Sequence, residues 1–334
     1  MNRRVTTVVG MAAGMAVLLA APAWAQPVTP PAPTDTVATD IPGVVAGGTK
    51  VEVIKAGFTG TEGPIGLPDG SLVFTETQAN RITRIDKDTN ATSVFLENTN
   101  GSNGLAFDAK GRLISVQTTP GQTRIGVIHP KGSETTLTDS FEGKPYGRPN
   151  DLVVAKNGGV YFSEPGPTAA PGQPAPVPAL TPAVYYLSPA GTVSRIAEGI
   201  ERPNGVMLSP DEKTLYVNNT AGEYLLAFDV KGDGTVGARR NFAKYAKVTK
   251  TPAGAFSSGA DGLAVDAQGR VYCASAAGVE VFSPQGQALG VIPLSLSPQN
   301  LAFAGADKKT LYIVGRGAAF KVRLLTEGYK GRAK

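Results

Sequence analysis

Cysteine and histidine are nearly missing from this chain: it contains one of each, Cys273 and His129. A single cysteine excludes an intramolecular disulfide, and its place in the apolar run VYCAS reads as a small core residue, not a nucleophile. A single histidine excludes a multi-histidine metal centre and leaves histidine-dependent acyl transfer to His129 alone. His129 stands at a strand end before a proline, in RIGVIHPKG, and reads as a surface turn residue. Apolar runs long enough to cross a membrane are missing beyond the N-terminus. No basic stripe interleaved with aromatics occurs, which excludes nucleic acid as a partner. No G-x-S-x-G run occurs either, so no serine nucleophile on a strand-to-helix elbow is implied.

What is abundant is glycine and proline, 41 and 26 residues. They suit many tight turns and argue against a helical protein. With 41% hydrophobic and 18% charged residues, the chain can bury a large core. Its formal charge is +5, of which Arg3 and Arg4 supply two, leaving +3. Part of that excess lies near the C-terminus (Lys321, Arg323, Lys330, Arg332, Lys334), and residues 327–334 read as a solvated basic tail.

Residues 1–25 read as a bacterial signal peptide. Asn2-Arg3-Arg4 is a basic start, Val8 to Ala21 an apolar stretch, and Ala23-Trp24-Ala25 a small-x-small cleavage site. The mature protein is expected in the periplasm or secreted, with no membrane insertion after cleavage. Residues 26–48, rich in Pro, Thr and Ala, read as an extended, poorly ordered lead-in.

From there to about residue 326 the chain repeats one unit: a small polar residue, an apolar strand, a turn with Gly or Asp, and a second apolar strand. The copies include TEGPIGLPDGSLVFTE, SNGLAFDAKGRLISV, PNDLVVAKNGGVYFS, PNGVMLSPDEKTLYVNN, ADGLAVDAQGRVYCAS and QNLAFAGADKKTLYIVG. The polar residue is Glu62, Asn103, Asn150, Asn204, Asp261 and Asn300, at separations of 41, 47, 54, 57 and 39 residues. Alternating strands lie between the copies, such as Arg81–Ile85 and Tyr224–Phe228, giving four strands per unit. Six all-strand units of this length predict an all-β fold, a six-bladed β-propeller over residues 49–326. The short strand at Val51–Ile54 is expected to pair with Ala318–Arg323 and close the ring, removing open edges. The run Asp229–Gly234 lacks an acid at the twelfth position of a calcium loop and reads as a hairpin turn. The long Pro/Ala loop within 164–182 reads as a surface insertion or as a rim over the channel mouth.

The six polar residues start the first strand of each unit, so a propeller would point them to one channel mouth. Glu62, Asn150, Asn204 and Asp261 offer only oxygens, with a charge of −2. Such a set suits a hard divalent ion: Ca²⁺ first, then Mg²⁺ or Mn²⁺, with Fe²⁺ or Zn²⁺ further alternatives. Each Asn-Gly or Asp-Gly pair taken alone reads equally as a turn dipeptide.

The ordered combination Glu62-Gly63-Pro64, Arg148-Pro149-Asn150-Asp151, Arg202-Pro203-Asn204-Gly205 and Asp261-Gly262 resembles the SMP-30/gluconolactonase/regucalcin-like family, from about Val51 to Val322. The resemblance implies a six-bladed propeller with one divalent ion in its channel, held by Glu62, Asn150, Asn204 and Asp261. It implies substrate contacts from Arg148 and Asn103, and Asp261 as general base. The chain departs from bacterial sugar lactonases of that family at Gln117-Thr118-Thr119, where Cys-Glu-His is frequent, and at Ser163-Glu164-Pro165, where Thr-Asp-Pro is common. The implied activity is hydrolysis of a lactone, a small-molecule substrate, by a monomer or dimer. Two alternatives stay open: another ester or organophosphate hydrolase on the same ion site, or a non-enzymatic ligand-binding propeller. A quinone-dependent dehydrogenase is disfavoured by the scarcity of histidine.

Overall fold

The computed structural model describes residues 32–167, 180–250, 254–332 and 334. The expected signal peptide, the start of the lead-in and most of the Pro/Ala loop lie outside the described residues.

Among the described residues every regular element is a strand, and the strands form six antiparallel blade sheets and two two-stranded ribbons, Ser140–Phe141 with Lys144–Pro145 and Thr249–Lys250 with Phe256–Ser257. Blade 1 comprises Thr61–Gly66, Leu72–Glu76, Arg81–Ile85 and Thr92–Glu97. Blades 2 to 5 begin at Ser102, Leu152, Pro203 and Leu263 and each adds strands in order outward. Blade 6 takes Asn300–Ala304, Thr310–Gly315 and Ala318–Arg323 from the C-terminal side, and its fourth strand, Lys50–Ala56, from the N-terminal side. There Val51 pairs Val322 and Val53 pairs Phe320, the expected closure. The fold is the six-bladed β-propeller read from the repeat.

Burial follows the distance from the axis. Innermost strands such as Thr61–Gly66 and Pro203–Leu208 are buried along their whole length, because neighbouring blades cover both faces. Outermost strands such as Thr92–Glu97 and Arg240–Lys244 consist mostly of half-buried and exposed positions. The turn between the first two strands is built by a repeated carboxylate. Asp108 accepts the amides of Lys110 and Arg112 at 2.9 Å and the Arg112 Nε at 2.7 Å. Asp266 does the same for Gln268 and Arg270, the equivalent residues of the copy DAQGR. Cys273 is fully buried, as expected of a core thiol.

Two expectations are corrected. The described part of the lead-in is ordered: Thr36–Val37 adds a fifth strand to blade 6, and Ile41, Val44 and Val45 are buried. Composition reads this stretch as linker, but its few apolar residues find a surface to cover. The basic tail is docked on the propeller, with Lys330 and Gly331 exposed among its described residues. The amide of Ala267 donates to Glu327 O at 2.9 Å, that of Tyr329 to Val265 O at 3.1 Å, and Arg332 pairs with Glu212 at 2.7 Å. Lys334 is buried, with Nζ 2.6 and 2.8 Å from the two Asp151 carboxylate oxygens. A buried carboxylate needs a partner, and this ammonium supplies it.

Candidate functional site

The innermost strands touch in sequence around the axis, and the last touches the first. At the start of five of them the pairing slips by one residue. In blade 1 the register runs Glu62 to Thr75, then Ile65 to Val73. In blade 2 it runs Ser102 to Gln117, then Leu105 to Ser115. In blade 4 it runs Pro203 to Asn219, then Val206 to Val217. In blade 3 the Asn150 amide donates to Ser163 O while the Ser163 amide donates to Asp151 O, so two residues face one. Asp261 and Gly262 face Ala274 in the same way in blade 5. Such bulges re-aim a side chain and interrupt pairing. They carry Asn103, Asn150, Asn204 and Asp261, and in blade 1 the slip directly follows Glu62, which makes the full set singled out from the sequence apart from Arg148 and Asn300. The innermost pair of blade 6 has no bulge: Asn300 pairs Val314 and Leu301 pairs Ile313 in register.

The glycine after several of these residues is a packing requirement. A Cβ on Gly63, whose φ is +44°, would lie 2.0 Å from Asn103 O, and one on Gly205 would lie 2.2 Å from Asp261 O. The dipeptides therefore do more than turn the chain. They let each inner strand approach its neighbour, as in the bond from the Gly205 amide to Asp261 O at 2.9 Å.

All five side chains of this set are buried or nearly so, Glu62 being 6% exposed and Asn103 2%. Asn103 Oδ1, Asn150 Oδ1, Asn204 Oδ1 and Asp261 Oδ1 are buried with no hydrogen-bond partner among the described residues. Asn204 Nδ2 donates to Thr220 Oγ1 at 3.1 Å, which fixes the amide. Glu62 is held from blade 6: Gln299 Nε2 donates to its Oε1 at 3.2 Å and Asn300 Nδ2 to its Oε2 at 3.3 Å. Among the described residues no three His, Cys, Asp or Glu side chains form an ion-binding group. The candidate set instead has two carboxylates and two carboxamides.

Burial pushes the Glu62 carboxyl up to about 7; the Asn300 hydrogen bond opposes that shift and the Asp151 charge adds to it. Burial also pushes Asp261 well above the usual carboxylate range, and the charges of Glu62 and Asp151 add to the shift. Two carboxylates pushed up by burial and by the charge of Asp151 call for a cation. Three oxygens without partners beside them are the donors a hard cation takes. The residues present fit a divalent ion of that type.

Arg148 stands two residues before Asn150. Its amide and that of Gly147 donate to Glu164, at 3.0 Å each, and the Gly166 amide donates to Glu164 Oε1 at 3.0 Å. Glu164 is thus the anchor of the Arg148 segment, a role that its place in Ser163-Glu164-Pro165 did not reveal. Arg202 is half-buried; burial and then the Arg148 charge hold its pKa down, while Asp261 opposes them. Gln299, Asn300 and Asp151 complete the surroundings. The repeat pattern marked Asn300 only as a position, Asp151 appeared only as the last residue of the Arg148-Pro149-Asn150-Asp151 motif, and nothing marked Gln299 as a site residue. A cavity of about 690 Å³ opens at the far ends of the inner strands, lined by Gly66, Phe107, Ala155, Lys308, Arg332 and Lys334. Charged groups on its walls are tied up in pairs, Asp108 with Arg112, Glu212 with Arg332 and Lys334 with Asp151, so the bulge residues and not this cavity mark the candidate site.

The sequence profile of the SMP-30/Gluconolactonase/LRE-like region matches residues 60–316. Over 311 residues the chain is 29% identical to a gluconolactonase of Zymomonas mobilis, covering 84% of this chain and 83% of that protein. A solved gluconolactonase from Xanthomonas campestris is similar with a TM-score of 0.72 at 31% identity, over 88% of this chain and 98% of that one. A calcium-binding regucalcin from Agrobacterium tumefaciens has the same fold, with a TM-score of 0.67 at 17% identity, over 84% and 95% of the two chains.

Proposed function

The chain belongs to the SMP-30/gluconolactonase/LRE-like family, and from that premise we propose that it is a lactonase that opens a sugar lactone at the bulge-lined end of the channel. The similarity to gluconolactonases from Zymomonas and Xanthomonas supports the reaction class. The observation that carries the assignment is the ring of buried, partnerless oxygens on Asn150, Asn204 and Asp261 beside a buried Glu62. Glu62, Asn150, Asn204 and Asp261 would hold one divalent cation, Ca²⁺ by the hardness of the donors. When bound, that ion supplies Lewis-acid polarisation of the ring carbonyl.

The chain's own groups do the rest. Asp261 takes the proton of the attacking water. Arg148, on a segment tied to Glu164, binds hydroxyl or carbonyl oxygens of the lactone, and Asn103 adds a neutral contact from blade 2. Gln299 and Asn300 keep Glu62 facing the axis.

The test is proton release from a panel of γ- and δ-lactones after chelation, then with Ca²⁺, Mg²⁺, Mn²⁺, Fe²⁺ or Zn²⁺ restored, with D261N as control. Ion-dependent turnover that D261N loses supports the proposal. Absence of turnover with every ion, in protein shown to bind one, would overturn it.

A further inference from the structure

The channel contains a third carboxylate that the proposed reaction does not use. Asp151 directly follows Asn150 and is fully buried. Its charge bears on both Glu62 and Asp261 and raises each. Lys334 meets it from the far end of the channel, with Nζ 2.6 and 2.8 Å from the two oxygens, and its side chain is 5% exposed. The approach is braced along the way. Lys308 Nζ donates to Tyr329 O at 3.0 Å and to Arg332 O, and Arg332 donates to Leu208 O at 2.9 Å and to Ser209 O at 3.2 Å. The segment is thereby tied to blades 4, 5 and 6, with Lys334 aimed at blade 3.

We propose that Lys334 is a built-in counter-cation, a positioning residue that neutralises Asp151 so that the channel presents the charge of Glu62 and Asp261 alone to a single divalent ion. This rests on the cation site proposed above. With Asp151 unpaired the three carboxylates would present −3. With the Lys334–Asp151 pair intact they present −2, the match for one divalent cation, while the charges of Arg202 and Arg316 also bear on Asp261. The pair also pins the residue next to Asn150, so the far-end segment sets both charge and position at the site.

The two roles separate by sign. Charge acting through a partly screened interior on a divalent ion is worth about tenfold or more in affinity. Calorimetric titration of the chelated full-length protein with Ca²⁺, beside thermal melts with and without Ca²⁺, reads the effect. K334M is expected to bind Ca²⁺ about tenfold more tightly and to melt lower without it. D151N is expected to bind about tenfold more weakly. The double variant D151N/K334M returns to within about threefold of the native affinity, and K334R stays native-like. K334M binding unchanged or weaker, or a double variant that follows D151N, overturns the proposal. Should K334M fail to fold, the recovery of the D151N loss by the double variant decides. A native chain that binds no Ca²⁺ defeats the cation site itself, whereas native binding with a flat series defeats the counter-cation alone.

Discussion

Without a cation, the stability of this protein should fall as pH rises from about 4.5 to about 7. Glu62 is the source. Its carboxyl is pushed from an ordinary 4.5 up to about 7, by burial first. A folded-state pKa above the unfolded one means that the folded chain holds the proton more tightly. Below pH 4.5 both states are protonated and nothing is lost. Between 4.5 and 7 the unfolded chain releases its proton first and gains relative to the folded one. Above 7 the loss is complete. A shift of this size corresponds to about 3 kcal/mol, at about 1.4 kcal/mol per pH unit, or on the order of 5–10 °C in Tm for a chain of this length. Asp261 shifts in the same direction. Other groups fall in different windows: Asp307, drawn down to about 2 by Arg323, titrates below it, and Lys308, lowered to about 8, above it. Glu164 and Glu280 are also raised by burial, so an E62Q control isolates Glu62. The assay is thermal melting in chelator at half-unit pH steps, repeated with Ca²⁺ in excess. Ca²⁺ at about a hundred times its Kd restores about 2.7 kcal/mol and should flatten the profile. A chelated profile that is flat or rises between pH 5 and 7, or an E62Q variant with the native slope, refutes the reasoning.

Three further outcomes are expected. N150A removes a buried oxygen that has no partner, so ion-free stability should change by less than about 1 kcal/mol while Ca²⁺ affinity falls at least tenfold; melting and calorimetry check the two halves. G205A forces a Cβ to 2.2 Å from Asp261 O and should cost about 2–3 kcal/mol and disturb the site, whereas G232A, with nothing within 4 Å, should melt like the native chain. E164Q turns an acceptor of three backbone amides partly into a donor, and should cost about 1–2 kcal/mol while raising KM for the lactone more than it lowers kcat, read by steady-state kinetics.

The sequence carried the inner half of each blade clearly, because strands buried on both faces must be continuously apolar and the residue that starts them recurs. The outer strands were harder. Thr135–Thr138, Arg240–Lys244 and Ala288–Ile292 went unmarked, since their exposed positions impose no pattern. The closure of blade 6 was legible from unpaired strand signals at the two ends. The docking of Ile41, Val44 and Val45 was not, because proline-rich composition says nothing of a surface supplied by distant residues such as Gly290 and Leu325.

At the candidate site the residue types were legible and their conformations were not. Asn103, Asn150 and Asn204 look alike in sequence to Asn300, yet only the first three stand on bulges with a buried oxygen left without a partner. Asn300 Oδ1 instead accepts the amide of Leu301 at 2.9 Å, which leaves its Nδ2 for Glu62. The difference comes from one residue of register, and register depends on partners 10 to 15 residues away. Each buried acceptor without a partner costs about 1–3 kcal/mol. Thr99, Tyr185 and Arg332 supply the other such side-chain atoms among the described residues, and they do not share one ring. Four on successive blades around one axis is a pattern that folding alone does not favour, and a ligand that all four oxygens face would repay it.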